Sequence, residues 1–95
     1  MTKRKRRHQQ MLDYKVETLH NLEKELDKVV IEYNYYVFTR SDLVIERAQT
    51  DDDTIRYDEI RREIMKLDFK IYRCQEQIRD LTREVRTLRE EIYAK

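Results

Sequence analysis

The second half of the chain carries an unbroken pattern of apolar residues at alternating steps of three and four. This spacing places them on one face of an α-helix and is typical of a coiled-coil seam. The seam consists of Tyr57, Ile60, Ile64, Leu67, Ile71, Cys74, Ile78, Leu81, Val85, Leu88 and Ile92. It predicts a helix over residues 52–93. The aspartates at residues 51–53 precede this helix, where carboxylates cap free backbone amides and offset the positive end of the helix dipole.

The first half repeats the pattern less regularly. Its apolar seam positions are Leu12, Leu19, Leu22, Leu26, Val29, Tyr33, Tyr36 and Leu43, while Lys15, Arg40 and Arg47 take the remaining ones. The pattern predicts a helix over residues 9–48. The stretch VVIEYNYYVF at residues 29–38 is also rich in β-branched and aromatic residues, so a β-hairpin turning at residues 39–42 is an alternative. Because the helical spacing continues through it, we favour a helix, with a break near residues 39–42 as the expected irregularity.

Two helices of nearly equal length, joined by a short turn at residues 49–51, predict an all-α antiparallel helical hairpin. If the numbers of facing residues add up to 100, both seams align along their whole length. Leu43 then meets Tyr57 near the turn, and Leu12 meets Leu88 at the other end. This single register satisfies both seams and the short turn together.

Charges beside the seam favour the hairpin over a parallel pair of second helices. In the antiparallel register Glu46 lies near Arg56, and Glu32 lies near Lys70. A parallel dimer would instead face Arg56 with Arg61, which repel each other. Alternation of Ile or Val with Leu along a seam is nevertheless typical of parallel dimers, so that arrangement stays open as an alternative.

A second set of apolar residues lies outside the seam and lacks a partner within one hairpin. We expect these residues to form an oligomer interface: Val30, Ile31, Tyr35, Val37, Phe38, Val44, Met65 and Tyr72. Helices that are apolar on most sides are normally buried, and exposed apolar patches commonly mark interfaces. The pattern therefore predicts a homodimer in which two hairpins pair into a four-helix bundle. The alternative is an adaptor or inhibitor that docks this patch on a helix of another protein.

A basic cluster precedes both predicted helices. It consists of Lys3, Arg4, Lys5, Arg6 and Arg7. These are five of the 21 cations, so the rest of the chain carries 16 cations against 20 anions. Clustered Lys and Arg neutralise phosphates and release counterions, which gives sequence-independent affinity for nucleic acid. We expect residues 1–8 to form a flexible arm that binds DNA or RNA; a solubilising tail and a nuclear localisation or docking signal are the alternatives.

Composition limits the remaining possibilities. The chain has no glycine and no proline, which disfavours a sheet with several tight turns, and 43% of its residues are charged. No apolar run approaches the roughly 20 residues needed to cross a bilayer, so we expect no membrane partner. Cys74 is the only cysteine, which agrees with a cytoplasmic protein, or a nuclear one in a eukaryote. His8, His20 and Cys74 lack the spacing of metal ligands, and Cys74 fits best as a small seam residue.

These patterns together predict a binding module. We expect a non-enzymatic, homo-oligomeric coiled-coil protein without metal or cofactor. Its basic arm would contact nucleic acid, and the protein would act as an accessory or regulatory factor. The adaptor or inhibitor hypothesis remains the alternative.

Overall fold

The fold is an antiparallel hairpin of two long helices. A computed structural model describes residues 3–94, and describes side chains from Arg6 to Ala94. Helix α1 is Lys3–Ala48 and helix α2 is Ile55–Tyr93. The molecule measures 76 × 17 × 14 Å, and a helix of 46 residues is ~69 Å long at 1.5 Å per residue, so α1 spans nearly the whole length. The predicted all-α hairpin is confirmed.

Helix α1 runs without interruption through the stretch where the sequence left a strand or a break open. Residues 29–45 are helical throughout. The hydroxyls near the expected break bond to their own helix: Thr39 Oγ1 donates to Tyr35 O at 2.8 Å and Ser41 Oγ donates to Val37 O at 3.1 Å. Side chains that bond to the preceding turn are not free to cap a new helix. The expected break and the alternative β-hairpin were both wrong.

The helix boundaries differ from those predicted at two places. Helix α1 begins at Lys3 instead of about residue 9, so the basic cluster lies at the start of the helix. Helix α2 begins at Ile55 instead of residue 52, and its cap is Thr54, whose Oγ1 accepts from Tyr57 N at 3.2 Å. The aspartates at residues 51–53 lie exposed in the connection. A hydroxyl directly before the first helical residue, on extended backbone, supplies the acceptor that the carboxylates were expected to supply.

The core is formed by seam residues from both helices. The buried apolar residues are Leu19, Val29 and Leu43 from α1 and Ile60, Ile64, Leu67, Cys74 and Val85 from α2. All eight are predicted seam positions, which confirms the seam assignment in both helices. The tightest cluster lies near the turn and contains Leu43, Ile60, Ile64 and Leu67, with Tyr36 and Val44 packed against it. Burial of each such side chain stabilises the fold by ~1.5 to 3 kcal/mol.

The register between the helices differs from the prediction. Ion pairs between the helices join Glu46 to Arg56, Arg40 to Asp68, Lys15 to Glu91 and Glu23 to Arg89. In every pair the residue numbers add up to more than 100. Lys70 lies over the ring of Tyr36, with its Nζ 5.4 Å from the ring centroid, where the prediction had it near Glu32. These contacts fit a slip of about one heptad, which keeps seam against seam.

A longer connection accounts for part of that slip. Residues 49–54 link the helices, where the prediction had allowed only residues 49–51. The pair of Glu46 and Arg56 is compatible with both registers and is present, with two hydrogen bonds of 2.9 Å. These bonds hold the pKa of the Glu46 carboxyl below its usual range. The predicted contact between Glu46 and Arg56 is therefore confirmed, while the predicted register of the helices further from the turn was wrong.

Candidate interaction surfaces

One side of α1 is uncharged over its last five turns. We call this surface the uncharged face; its residues are Val30, Ile31, Asn34, Val37, Phe38, Ser41, Val44, Ile45 and Ala48. They recur at helical spacing, so they lie on adjoining positions of one side of the helix. In a chain with 43% charged residues, a face of this length without a charge is unusual. Charge depletion of this kind is characteristic of the centre of a protein interface.

The uncharged face is not flat, because its side chains differ in size. Its outer ridge is formed by Ile31, Phe38 and Ile45, which are 69%, 71% and 58% exposed. The valines at 30, 37 and 44 form an inner ridge that is half-buried beside α2. Between the ridges lie the shorter side chains of Asn34, Ser41 and Ala48, all of them exposed. The face therefore consists of a shallow groove between two apolar ridges.

The inner ridge is partly covered within one hairpin, contrary to the expectation that it had no partner there. Val44 packs against the core cluster at the turn, and Val30 and Val37 are half-buried. The ridge nearest to α2 thus contributes to folding. The outer ridge remains the part of the face that is free to contact another molecule.

The other predicted interface residues lie elsewhere. Tyr35 is 66% exposed at the border of the uncharged face, and its ring meets that of Tyr36 edge-on at 5.8 Å. Met65 and Tyr72 are exposed on α2, but there they lie among charged side chains. The structure therefore brings the α1 members together on one continuous surface and leaves the two α2 members outside it.

Phe69 is an exposed aromatic residue that the sequence analysis missed. It is 75% exposed and shares a shallow cleft with Tyr72, Lys66 and Arg73. Its spacing, four residues after Met65 and three before Tyr72, was the signal that would have grouped these three on one side of α2. Aromatic rings among Lys and Arg can contact an anionic or aromatic ligand, although this cleft is open and lies on a single helix.

The basic cluster occupies the amino-terminal end of α1. Backbone from Lys3 is helical; the side chains of Lys3, Arg4 and Lys5 lie outside the described ones, whereas Arg6 and Arg7 are exposed. The first turn of α1 contains no acidic residue. Cations at the positive end of a helix dipole are unfavourable, and an anion there is favourable. A phosphate bound at this end would relieve both the repulsion among the cations and their clash with the dipole.

Two cations near this end of the hairpin form ion pairs between the helices. The guanidinium of Arg89 on α2 is 2.9 Å from the carboxylate of Glu23. Lys15 likewise lies 3.4 Å from Glu91. Some of the positive charge among the described side chains at this end of the hairpin is therefore neutralised by carboxylates.

Cys74 behaves as a packing residue. It is 4% exposed, and burial together with the nearby carboxylate of Glu32 raises the pKa of its thiol. A neutral, covered thiol is a poor nucleophile. Between Lys3 and Ala94, no group of three or more His, Cys, Asp or Glu residues is arranged to hold a metal ion.

We expect the Cys74 thiol of the native protein to react at least about tenfold more slowly with a soluble disulfide reagent than the same thiol in denaturant, because reaction requires the seam to open. The measurement is the rate at which the reagent releases its own thiol at mildly alkaline pH, with and without denaturant. Equal rates would show that the thiol is accessible and that the seam is open near Cys74.

Neither helix, within residues 3–94, contains a stretch long and apolar enough to cross a membrane. No protein-family model matches the chain, and neither a curated protein nor a solved structure shows significant similarity to it.

Proposed function

We propose that the protein is a non-enzymatic coiled-coil module that self-associates through the uncharged face of α1 and binds nucleic acid through the basic amino-terminal end. The observation that carries this proposal is the uncharged face itself. Three large side chains of its outer ridge are more than half exposed in the single hairpin. Contact with a second hairpin would remove this apolar surface from water and form a larger helical bundle.

Nucleic-acid binding rests on the basic cluster. Five consecutive cations stand at the positive end of a helix dipole, an arrangement that a polyanion stabilises. Charged side chains that contact phosphates do not read base edges, so binding would depend weakly on sequence and strongly on salt. This is the behaviour of an accessory or regulatory factor that coats or bridges nucleic acid.

A second candidate is an adaptor or inhibitor that docks on a helix of another protein. The outer ridge of Ile31, Phe38 and Ile45 has the spacing of the anchors that amphipathic helices use in grooves. Self-association is favoured over this alternative because Lys24 and the acidic connection at residues 51–53, which lie toward opposite ends of the face, complement each other in charge when two copies are antiparallel.

Replacing Phe38 with glutamate is expected to halve the solution mass of the oligomer while leaving the helical circular dichroism nearly unchanged. Phe38 is 71% exposed in the hairpin, so the change removes an intermolecular contact without opening the core. Val37 is a poorer choice because it is half-buried beside α2. The matched control is Asn21→Glu, which adds the same charge at an exposed position of α1 outside the face. Equal masses for Phe38→Glu and the control would contradict the assignment of the interface.

A further inference from the structure

Charged residues of opposite sign lie beyond the two ends of the outer ridge of α1. Lys24 lies seven residues before Ile31, and the exposed aspartates at residues 51–53 lie in the connection that follows the last residue of α1, Ala48. A step of seven residues is two helical turns, so Lys24 lies in line with the apolar ridge. The ridge thus has a cation at one end, an acidic loop at the other, and Phe38 at its middle.

This sequence of side chains is complementary to itself when reversed. If a second α1 is laid antiparallel with Phe38 opposite Phe38, then Ile31 meets Ile45 and Lys24 approaches the acidic loop at residues 51–53. A twofold axis at Phe38 repeats each contact, as a closed dimer with identical surfaces requires. A parallel pairing would place the two Lys24 residues together and both acidic loops together, so like charges would meet at both ends.

Shape supports the same arrangement. The short side chains of Asn34, Ser41 and Ala48 lie beside the ridge and leave room for the two helices to approach closely where the ridges meet. The hydroxyl of Ser41 already donates to Val37 O within the helix, at 3.1 Å, so covering it leaves no free donor. Asn34 is the one strongly polar residue in the groove, and a single buried Asn commonly fixes the register of paired helices.

We infer that the occupant of the uncharged face is a second copy of this chain, with the two α1 helices antiparallel about a twofold axis at Phe38 and with Lys24 of each copy paired to the acidic loop of the other. This inference rests on the self-association part of the proposed function and adds the direction and register of the pairing. The two α2 helices then lie on the outside of the dimer. The two basic ends lie at its opposite extremities.

Cysteine cross-linking tests the direction. In a Cys74→Ala background whose fold is checked by circular dichroism, Ile31→Cys and Ile45→Cys are prepared separately, one with a short tag, then mixed under reducing conditions and oxidised. The expected product is the disulfide between position 31 of one chain and position 45 of the other. Each variant alone is expected to cross-link poorly, while Phe38→Cys alone is expected to cross-link with itself.

The cross-linking results distinguish a failure of this inference from a failure of the proposed function. Cross-links of Ile31→Cys with itself and of Ile45→Cys with itself would show a parallel dimer, which overturns the inference and leaves self-association standing. A wild type that is monomeric, with no cross-link in any variant, would overturn both and leave a foreign helix as the occupant.

Charge reversal tests the register independently. Lys24→Glu is expected to weaken the dimer about tenfold, because each copy contributes one pair and both pairs become repulsive. Asp52→Lys in the same chain is expected to restore most of the affinity, and to weaken the dimer when present alone. If the double variant did not regain dimer affinity, the proposed pairing of Lys24 with the acidic loop would be wrong.

Discussion

Replacing Leu67 with aspartate is expected to abolish most of the helical circular dichroism at room temperature. Leu67 is 9% exposed in the cluster with Leu43, Ile60 and Ile64. Loss of a buried leucine costs about 2 to 5 kcal/mol, and the carboxylate has no partner there, which adds a desolvation cost. Because native domains are stable by only about 5 to 15 kcal/mol, and this hairpin has a small core, the change should exceed its stability.

The matched control is Arg62→Asp, which places the same side chain at an exposed position of the same helix. It is expected to melt within a few degrees of the wild type. Ile71→Asp should be intermediate, because Ile71 is only half-buried. If thermal melts followed by circular dichroism were superimposable for the three variants, the heptad assignment of α2 would be wrong.

Deleting residues 1–8 is expected to remove nearly all affinity for DNA or RNA while leaving fold and oligomer unchanged. Among the described side chains of α1, Leu19 is the first that is buried, so we expect the deletion to leave the core intact. Neutralising four or five phosphates gives a logarithmic salt slope of roughly −4 on duplex DNA, and the slope should approach zero in the deletion. A variant with glutamine in place of the five basic residues keeps the helix length and should behave like the deletion. Equal binding by the intact and glutamine proteins would exclude the cluster from the mechanism.

Duplex length should matter if the antiparallel dimer forms. Each basic end lies 33 residues from Phe38, so the two ends are roughly 100 Å apart at 1.5 Å per residue. That span equals ~30 base pairs of duplex. Affinity is expected to rise by about 10²-fold between duplexes shorter and longer than this, because only the longer ones engage both ends. Affinity that increased smoothly with length would contradict two separated basic ends.

The sequence predicts most of this fold because its periodicity is strong. Every buried residue, from Leu19 to Val85, occupies a predicted seam position. The helical spacing also gave the right answer through residues 29–45, where β-branched and aromatic composition pointed to strand. Local propensity is a weak prior there, because burial of a continuous seam outweighs it.

The register between α1 and α2 could not be predicted from the periodicity. Both seams repeat every seven residues, so a slip of one heptad keeps apolar against apolar and also preserves the pair of Glu46 and Arg56. The length of the connection is one feature that distinguishes the two registers. That length depends on whether Thr54 or an earlier aspartate caps α2, and both residue types are good caps.

Sequence reasoning identified only some residues of the uncharged face. Counting apolar residues found Val30, Ile31, Val37, Phe38 and Val44 but gave no weight to the short side chains between them. The groove depends on those short residues, which are visible in the sequence only as an absence of charge. Apolarity alone also grouped Met65 and Tyr72 with the α1 residues, because it does not report the charged side chains that lie around them in the structure.

Sedimentation equilibrium of the wild-type protein tests the central claim most directly, because the proposed role of the uncharged face and the proposed geometry of nucleic-acid binding both depend on self-association. The chain has a mass of 11.9 kDa. We expect twice that mass at micromolar concentrations, falling toward the single-chain mass only on strong dilution. A mass of one chain at every concentration, with the helical circular dichroism intact, would contradict self-association through α1.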